Sequence, residues 1–236
     1  MIPVLKKNSR VQPEALSDGF LVLIDKAENW TSFDVVKKIR NITRIKKVGH
    51  SGTLDPFATG LLILGAGKGT KMMTELIGRS KKYRACIRFG METDTDDPTG
   101  TVLKETETTR LSEEEVSRIV SEMTGSLEQA PPMYSAKRLD GQRLYRLARK
   151  GIEVERKPVK VEVYKSRVHS WKNPFLDLEL HVSKGTYVRS YARDLGKRAG
   201  VGAMLFALRR TSIEPYSVED SFTIDAFQQF WNTVTV

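Results

Sequence analysis

The sequence predicts an α+β fold, a mixed and largely antiparallel sheet with helices packed against it. Three observations point there. Segments such as Tyr83–Phe89 and Leu176–Val182 alternate apolar and polar residues with the period of half-buried strands. Segments such as Val116–Met123 and Val188–Leu195 place apolar residues three and four apart, the period of amphipathic helices. The two kinds are interspersed along 236 residues with no linker between them, which argues for one composite domain.

Taken in order, residues 1–18 are polar and irregular and read as a loose lead-in, with the domain proper running over 19–236. Gly19–Asp25 is a buried strand. Thr31 and Asp34 form a capping box, followed by Phe33, Val36, Ile39 and Ile42 at helical spacing. Residues 49–60 form a glycine-rich loop, Leu61–Leu64 a short buried strand, and Met72, Met73, Leu76 and Ile77 a helix ending at Gly78. After the Tyr83–Phe89 strand comes a turn-rich loop, Thr93–Gly100. Ser112 with Glu115 starts the helix of Val116, Ile119, Val120 and Met123. Residues 129–151 are irregular, with an Asp140–Gly141 turn and a short basic helix. Val159, Val161 and Val163 alternate, as do Leu176, Leu178, Leu180 and Val182. Helices follow on Val188, Tyr191, Ala192 and Leu195 and at about 223–231.

Composition narrows the function. The net charge is +10 and the pI about 9.6, which suggests a polyanionic partner. The charge is segregated: residues 36–49 hold six basic residues and no acid, 136–160 hold nine against three acids, and 184–210 hold seven against Asp194. Residues 92–122 invert this with ten acids and three bases. Such segregation favours a basic face. One cysteine, Cys86, excludes an internal disulfide framework and fits a reducing, cytoplasmic compartment. Three scattered histidines and one cysteine make a structural zinc site a poor fit, so no metal is expected. No apolar run is long enough for a signal peptide or a membrane span.

Two segments invite a chemical reading. Gly65–Lys71, GAGKGTK, resembles a nucleotide-kinase phosphate loop, but Leu62 stands where that loop needs a glycine. It reads better as a strand end leading into a helix. The segment GHSGTLDPFATG, residues 49–60, packs glycines, His50 and Asp55 into a loop between a basic helix and an apolar strand. An ordinary turn before Pro56 explains it as well as a functional loop does.

Residues 49–62, GHSGTLDPFATGLL, resemble the signature of the TruB family of tRNA pseudouridine synthases. Further blocks match in order: Ser80–Arg84 with Gly90 and Thr93–Asp97, Gln129–Lys137 with Leu144–Tyr145, Ser183–Ser190, and Leu208–Thr211. The resemblance runs from about residue 19 to about 225. The family's opening block usually reads Lys-Pro-x-Gly-x-Thr-Ser, and here it is Lys26-Ala27-Glu28-Asn29-Trp30-Thr31-Ser32, where Asn29 is tolerable in glycine's place if the backbone is left-handed there, since Asn accepts that conformation better than most residues. Ser51 replaces a more usual Thr. Members commonly carry a further RNA-binding domain of the PUA type, and the end at Val236 leaves no room for one.

The resemblance implies the pseudouridine synthase fold with an RNA-clamp insertion at about 129–157. It also implies uridine-to-pseudouridine isomerisation at uridine 55 in the T loop of tRNA, by a monomer. Breaking the glycosidic bond and rejoining the base through C5 involves no net oxidation, hydrolysis or group donor, so no cofactor is expected. One carboxylate suffices, by attack on C1′, attack on the base, or proton removal from the sugar. By resemblance Asp55 is that carboxylate, Arg189 its bidentate partner, and Tyr83 the active-site tyrosine that stacks on the base. His50 is the wedge that replaces an extruded base. Tyr187, Lys26, Lys82, Arg84 and Lys137 are expected on the RNA or at the site's edge, and Leu205 along the pocket. Two rivals are an RNA chaperone that needs no Asp55 and a nucleotide kinase using GAGKGTK.

Overall fold

The computed structural model describes residues 2–135, 137–139 and 141–234. Ala136 of the Gln129–Lys137 block and Asp140 of the expected turn lie outside the described residues, as do Met1, Thr235 and Val236. The single domain expected from residue 19 onward divides into two compact units. One holds the chain up to Lys82 and again from Arg209, and the other holds Tyr83–Leu208.

The first unit begins with β1 (Val4–Leu5), β2 (Gly19–Lys26), α1 (Ser32–Thr43), β3 (Val48–His50), β4 (Thr59–Gly67) and α2 (Met73–Gly78). The chain then runs through β5 (Lys81–Phe89), β6 (Met91–Thr93), β7 (Val102–Glu105), α3 (Glu113–Glu122), β8 (Gly125–Gln129), β9 (Arg138–Leu139), β10 (Gln142–Arg143) and α4 (Leu144–Ala148). The remaining elements are β11 (Val159–Lys172), β12 (Phe175–Val182), α5 (Val188–Arg198), β13 (Ala203–Ile213), β14 (Tyr216–Ser217) and α6 (Ile224–Val234).

In the first unit β2 pairs antiparallel with β4, from Gly19 opposite Gly67 to Lys26 opposite Gly60. β1 joins β2 in parallel, β3 lies antiparallel on β4, and β13 meets β4 in parallel at Arg209 and Arg210. The runs FLVLI and LLIL are continuously apolar because both faces are covered. Phe20, Val22, Ile24, Leu62 and Leu64 pack on Val35, Val36 and Ile39 of α1 and on Phe227 and Trp231 of α6. Leu21, Leu23, Leu61 and Ile63 pack on Met73, Leu76, Ile213 and Val218.

Two expectations need correction here. Residues 1–18 are not a loose lead-in: Leu5 and Leu16 are buried in the core, and β1 continues the sheet, so two apolar anchors outweigh the polar composition around them. The buried stripe of α1 is Val35, Val36 and Ile39, while Phe33 is 63% exposed. The Thr31–Asp34 box is formed reciprocally, and it fixes the helix phase so that Phe33 faces outward.

In the second unit the strand order is β5-β12-β11-β8, with β11 antiparallel to both neighbours. The inward residues of β5 and β12 are the expected ones: Ala85, Ile87 and Phe89, and Leu176, Leu178, Leu180 and Val182. Tyr191, Ala192 and Leu195 of α5 and Val116, Ile119 and Val120 of α3 are buried with them. β11 runs far past Val163, and register shifts between Val163 and Lys165 and between Val168 and Ser170 break the alternation that would have marked its length in the sequence.

GAGKGTK is a strand end followed by a 3₁₀ turn over Lys68–Met72, as its sequence suggested. Its glycines serve packing. A Cβ on Gly69 would lie 2.2 Å from the Phe20 carbonyl oxygen. Gly69→Ala should therefore destabilise the fold by about 1–3 kcal/mol or more, while Lys71→Ala at an exposed position should move the melting midpoint little. A melting series on the two variants checks this, and a neutral Gly69→Ala would contradict the packing role.

Candidate active site

In the first unit, the segment 49–60 leaves β3 and enters β4, and Asp55 heads a turn closed by the Ala58 amide on the Asp55 carbonyl at 3.1 Å. Both flanks of Asp55 are tied to the β2–α1 connection. The Ser32 hydroxyl donates to the Leu54 carbonyl at 3.2 Å and accepts from the Leu54 amide at 2.9 Å. The Asn29 amide donates to the Pro56 carbonyl at 2.8 Å. Asn29 has φ of 64°, the left-handed backbone under which it can stand in glycine's place. Gly60 is required by close approach, since a Cβ there would lie 2.3 Å from the Arg210 carbonyl oxygen.

Lys26 is fully buried, and its ammonium donates to the carbonyls of Trp30 at 2.7 Å, Ala27 at 2.9 Å and Pro56 at 3.2 Å. Three acceptors match the three donors of an ammonium. Burial pulls its pKa down to about 8, the Asp55 carboxylate pulls it back up, and Arg210 pushes it down further. Lys26 is thus a structural partner of the Asp55 loop and not a phosphate contact at the site's edge, because its donors are consumed by backbone carbonyls.

Arg210 was not singled out by sequence. It is 1% exposed, and it donates from Nε to the Leu61 carbonyl at 2.7 Å and from Nη2 to the Gly52 carbonyl at 3.2 Å. Its neighbour Arg209 instead makes a bidentate pair with Asp25, at 2.7 and 3.0 Å. Adjacent strand residues face opposite sides, so the Arg-Arg pair signalled one inward arginine without saying which. His50 accepts the Gly52 amide on Nδ1 at 3.3 Å, which leaves Nε2 carrying the proton. Burial first, and then the Arg210 charge, lower its pKa, so His50 is neutral at pH 7.

In the second unit, Arg189 near the start of α5 is 4% exposed. It donates to the Thr95 carbonyl at 3.0 Å and the Tyr134 carbonyl at 2.7 Å, and it faces Asp97 at 3.4 Å. Arg193, one turn on, pairs with Asp96 at 3.0 Å and with Asp194 at 3.1 Å. Burial raises the Asp96 pKa against the pull of Arg193 and Arg189. Tyr187 caps α5, exchanging two backbone hydrogen bonds with the Gln129 amide group at 2.7 and 3.0 Å. Tyr83 is buried on β5, while Arg84 beside it is exposed. Leu205 is fully buried, and its amide donates to the Asp96 carbonyl at 3.0 Å. Lys137 is half-buried and accepts the Leu144 amide on its carbonyl.

The structure therefore gathers Asp55, Lys26 and His50 around Arg210 in the first unit, where Lys82 lies exposed. It gathers Arg189, Tyr187 and the 93–100 loop in the second, which also carries Tyr83, Arg84, Lys137 and Leu205.

The Lys26 shift has a signed consequence. Its folded pKa of about 8 lies below the ordinary 10.5, so between these values the unfolded chain holds a proton that the folded chain has released. Stability should rise with pH across that window and be indifferent to Lys26 ionisation outside it. Relative to Lys26→Met, the wild type should gain up to roughly 3 kcal/mol between pH 8 and 10.5. Paired denaturant titrations across the window measure it, and a flat difference would contradict the burial of a charged ammonium.

A family model described as TruB family pseudouridylate synthase (N terminal domain) matches residues 40–188. Among curated relatives, tRNA pseudouridine synthase B of Clostridium tetani is 44% identical over 205 residues, covering 87% of this chain and 71% of that protein. Its namesake in Opitutus terrae is 43% identical over 218 residues, covering 92% of this chain and 90% of that protein. Among solved structures, one of a Cbf5–Nop10–Gar1 complex aligns with a TM-score of 0.72 and 25% identity, covering 98% of this chain and 62% of that one. An archaeal box H/ACA sRNP Nop10–Cbf5 complex aligns with a TM-score of 0.68 at 22% identity, a likeness of fold, with 55% of that chain covered. The chain thus spans less than two thirds of these solved chains. The span of the family model, together with identities above 40% across most of the sequence, establishes that this chain belongs to the TruB family of pseudouridylate synthases.

Proposed function

We propose that this chain isomerises uridine to pseudouridine at uridine 55 in the T loop of tRNA, acting as a cytoplasmic monomer with Asp55 as its catalytic carboxylate. The observation that carries the reading is the Asp55 loop itself: a carboxylate on a turn fixed on both sides by backbone hydrogen bonds, with the buried cation Lys26 within its field. Such a group is preorganised to act on the sugar or the base at a fixed position. Arg189 is assigned to orient Asp55 and Tyr83 to stack on the uracil. His50, neutral and planar, takes the place of the extruded base. Lys82, Arg84, Lys137 and Tyr187 contact the RNA backbone or the rim, and the basic segments supply salt-dependent affinity.

Asp55→Asn keeps size and removes the nucleophile or base. Tritium release from C5-tritiated tRNA should fall by at least about a hundredfold, with tRNA affinity retained. Activity within tenfold of wild type would sink the assignment.

His50→Ala should slow the step before chemistry, because extruding a stacked base costs a few kcal/mol that the wedge offsets. The test compares folded tRNA with an unstructured RNA whose uridine is already exposed, using single-turnover rates. The defect should be larger on folded tRNA, and equal defects on both would count against the wedge.

A further inference from the structure

A groove on the outer side of α1 has no part in the reaction described above. It is a shallow, open depression of about 360 Å³, lined by Asn29 and Trp30 from the β2–α1 connection and by Asp34, Lys37, Lys38 and Asn41 from the helix. That volume lies within the range of about 300–1,000 Å³ typical of small-ligand sites. The helix contributors sit three and four apart, so they share one face.

The lining has a definite chemistry. Trp30 is half-buried and packs on the core formed by β2, β4, α1 and α6, which holds its ring rigid while leaving part of it open. Lys37 and Lys38 supply two ammonium groups, and they begin the run of six basic residues without an acid over 36–49. Asn29 and Asn41 supply amides that both donate and accept. The one carboxylate, Asp34, is turned back on its own helix cap, accepting from the Thr31 amide at 3.0 Å and the Thr31 hydroxyl at 2.6 Å. An aromatic face for a base, amides for its edge and ammonium groups for phosphate form the set by which unpaired nucleotides are held.

The groove also shares its wall with the Asp55 loop. The Trp30 carbonyl accepts the Lys26 ammonium, which bonds Pro56 as well, and the Asn29 amide bonds the Pro56 carbonyl. Whatever seats against Asn29 and Trp30 therefore leans on the connection that holds the catalytic turn.

We propose that this groove is a second RNA subsite, taking one nucleotide of the substrate RNA other than the reacting uridine, its base on Trp30 and its phosphate between Lys37 and Lys38. The proposal rests on the pseudouridine synthase reading and extends where the RNA is held.

The test uses the full chain and a T-arm stem-loop RNA. With Lys37→Ala/Lys38→Ala, the dependence of log Kd on log salt should lose about two units of slope, and the loss should fall in KM more than in kcat. The Trp30 indole N–H resonance, identified by Trp30→Phe, should shift on adding RNA, while that of the buried Trp231 should not. Trp30→Ala should weaken binding about fivefold or more, and should that variant fail to fold, the lysine pair on the solvent face carries the test. An unchanged salt slope with an unmoved Trp30 resonance would overturn the subsite. Uridine monophosphate moving that resonance as readily as the RNA would also overturn it, by making the groove a free-nucleotide site. Pseudouridine formation scored on the same RNA separates the two readings: its absence defeats the proposed activity, whereas its presence without these effects defeats only the groove.

Discussion

An ammonium group without access to water must be met by acceptors, and the burial of Lys26 imposes that demand on the part of the chain that matters most. Its three hydrogen bonds reach the carbonyls of Ala27, Trp30 and Pro56. Two belong to the connection after β2 and one to the turn of Asp55, so a single side chain fixes the end of a strand, the start of a helix and the Asp55 loop. The left-handed backbone at Asn29 swings the Trp30 carbonyl back toward Lys26 and aims the Asn29 amide at Pro56. Ser32 then completes the frame by bonding both the amide and the carbonyl of Leu54. Asp55 sits between two anchored residues, and its own charge helps to keep Lys26 protonated.

The same frame bears on why the chemistry is isomerisation and not loss of the base. A hydrolytic glycosidase needs a second carboxylate to activate water. Here the Lys26 ammonium lies within the field of Asp55, and Arg210 and Glu28 act on Lys26 in turn. The side chains around the turn, Leu54, Phe57 and Ala58, are buried and apolar. This apolar setting limits the water at hand to intercept a detached uracil.

How much of this was legible in the sequence depended on whether the signal was local. The strand Tyr83–Phe89, the Thr31–Asp34 box and the apolar stripes of α3 and α5 carry their period in adjacent residues and stand where expected. Asp55 and Arg189 were visible through motif context, since composition alone does not distinguish the Asp-Pro turn from any other. What escaped was decided by tertiary contact. The lead-in is anchored by two leucines whose partners lie in the core. β11 hides its length behind bulges, and Arg210 differs from Arg209 only in which side of a strand it faces. Lys26 was expected at phosphate or the site's edge; lysine is seldom buried, and only the convergence of three carbonyls from two segments makes its burial tolerable.

In the second unit, the insertion expected to grip RNA starts from a fixed root. The Gln129 side chain exchanges two hydrogen bonds with the Tyr187 backbone. The Ala130 carbonyl accepts from the Ser190 hydroxyl and from Arg193, and the Tyr134 carbonyl accepts from Arg189. Every one of these partners lies in or at the cap of α5, so the segment from Gln129 to Tyr134 is bound along a single helix. The same Arg189 holds the Thr95 carbonyl and faces Asp97, which joins the acidic loop to that root. An arginine buried in this way cannot change its rotamer without breaking backbone hydrogen bonds in two separate segments.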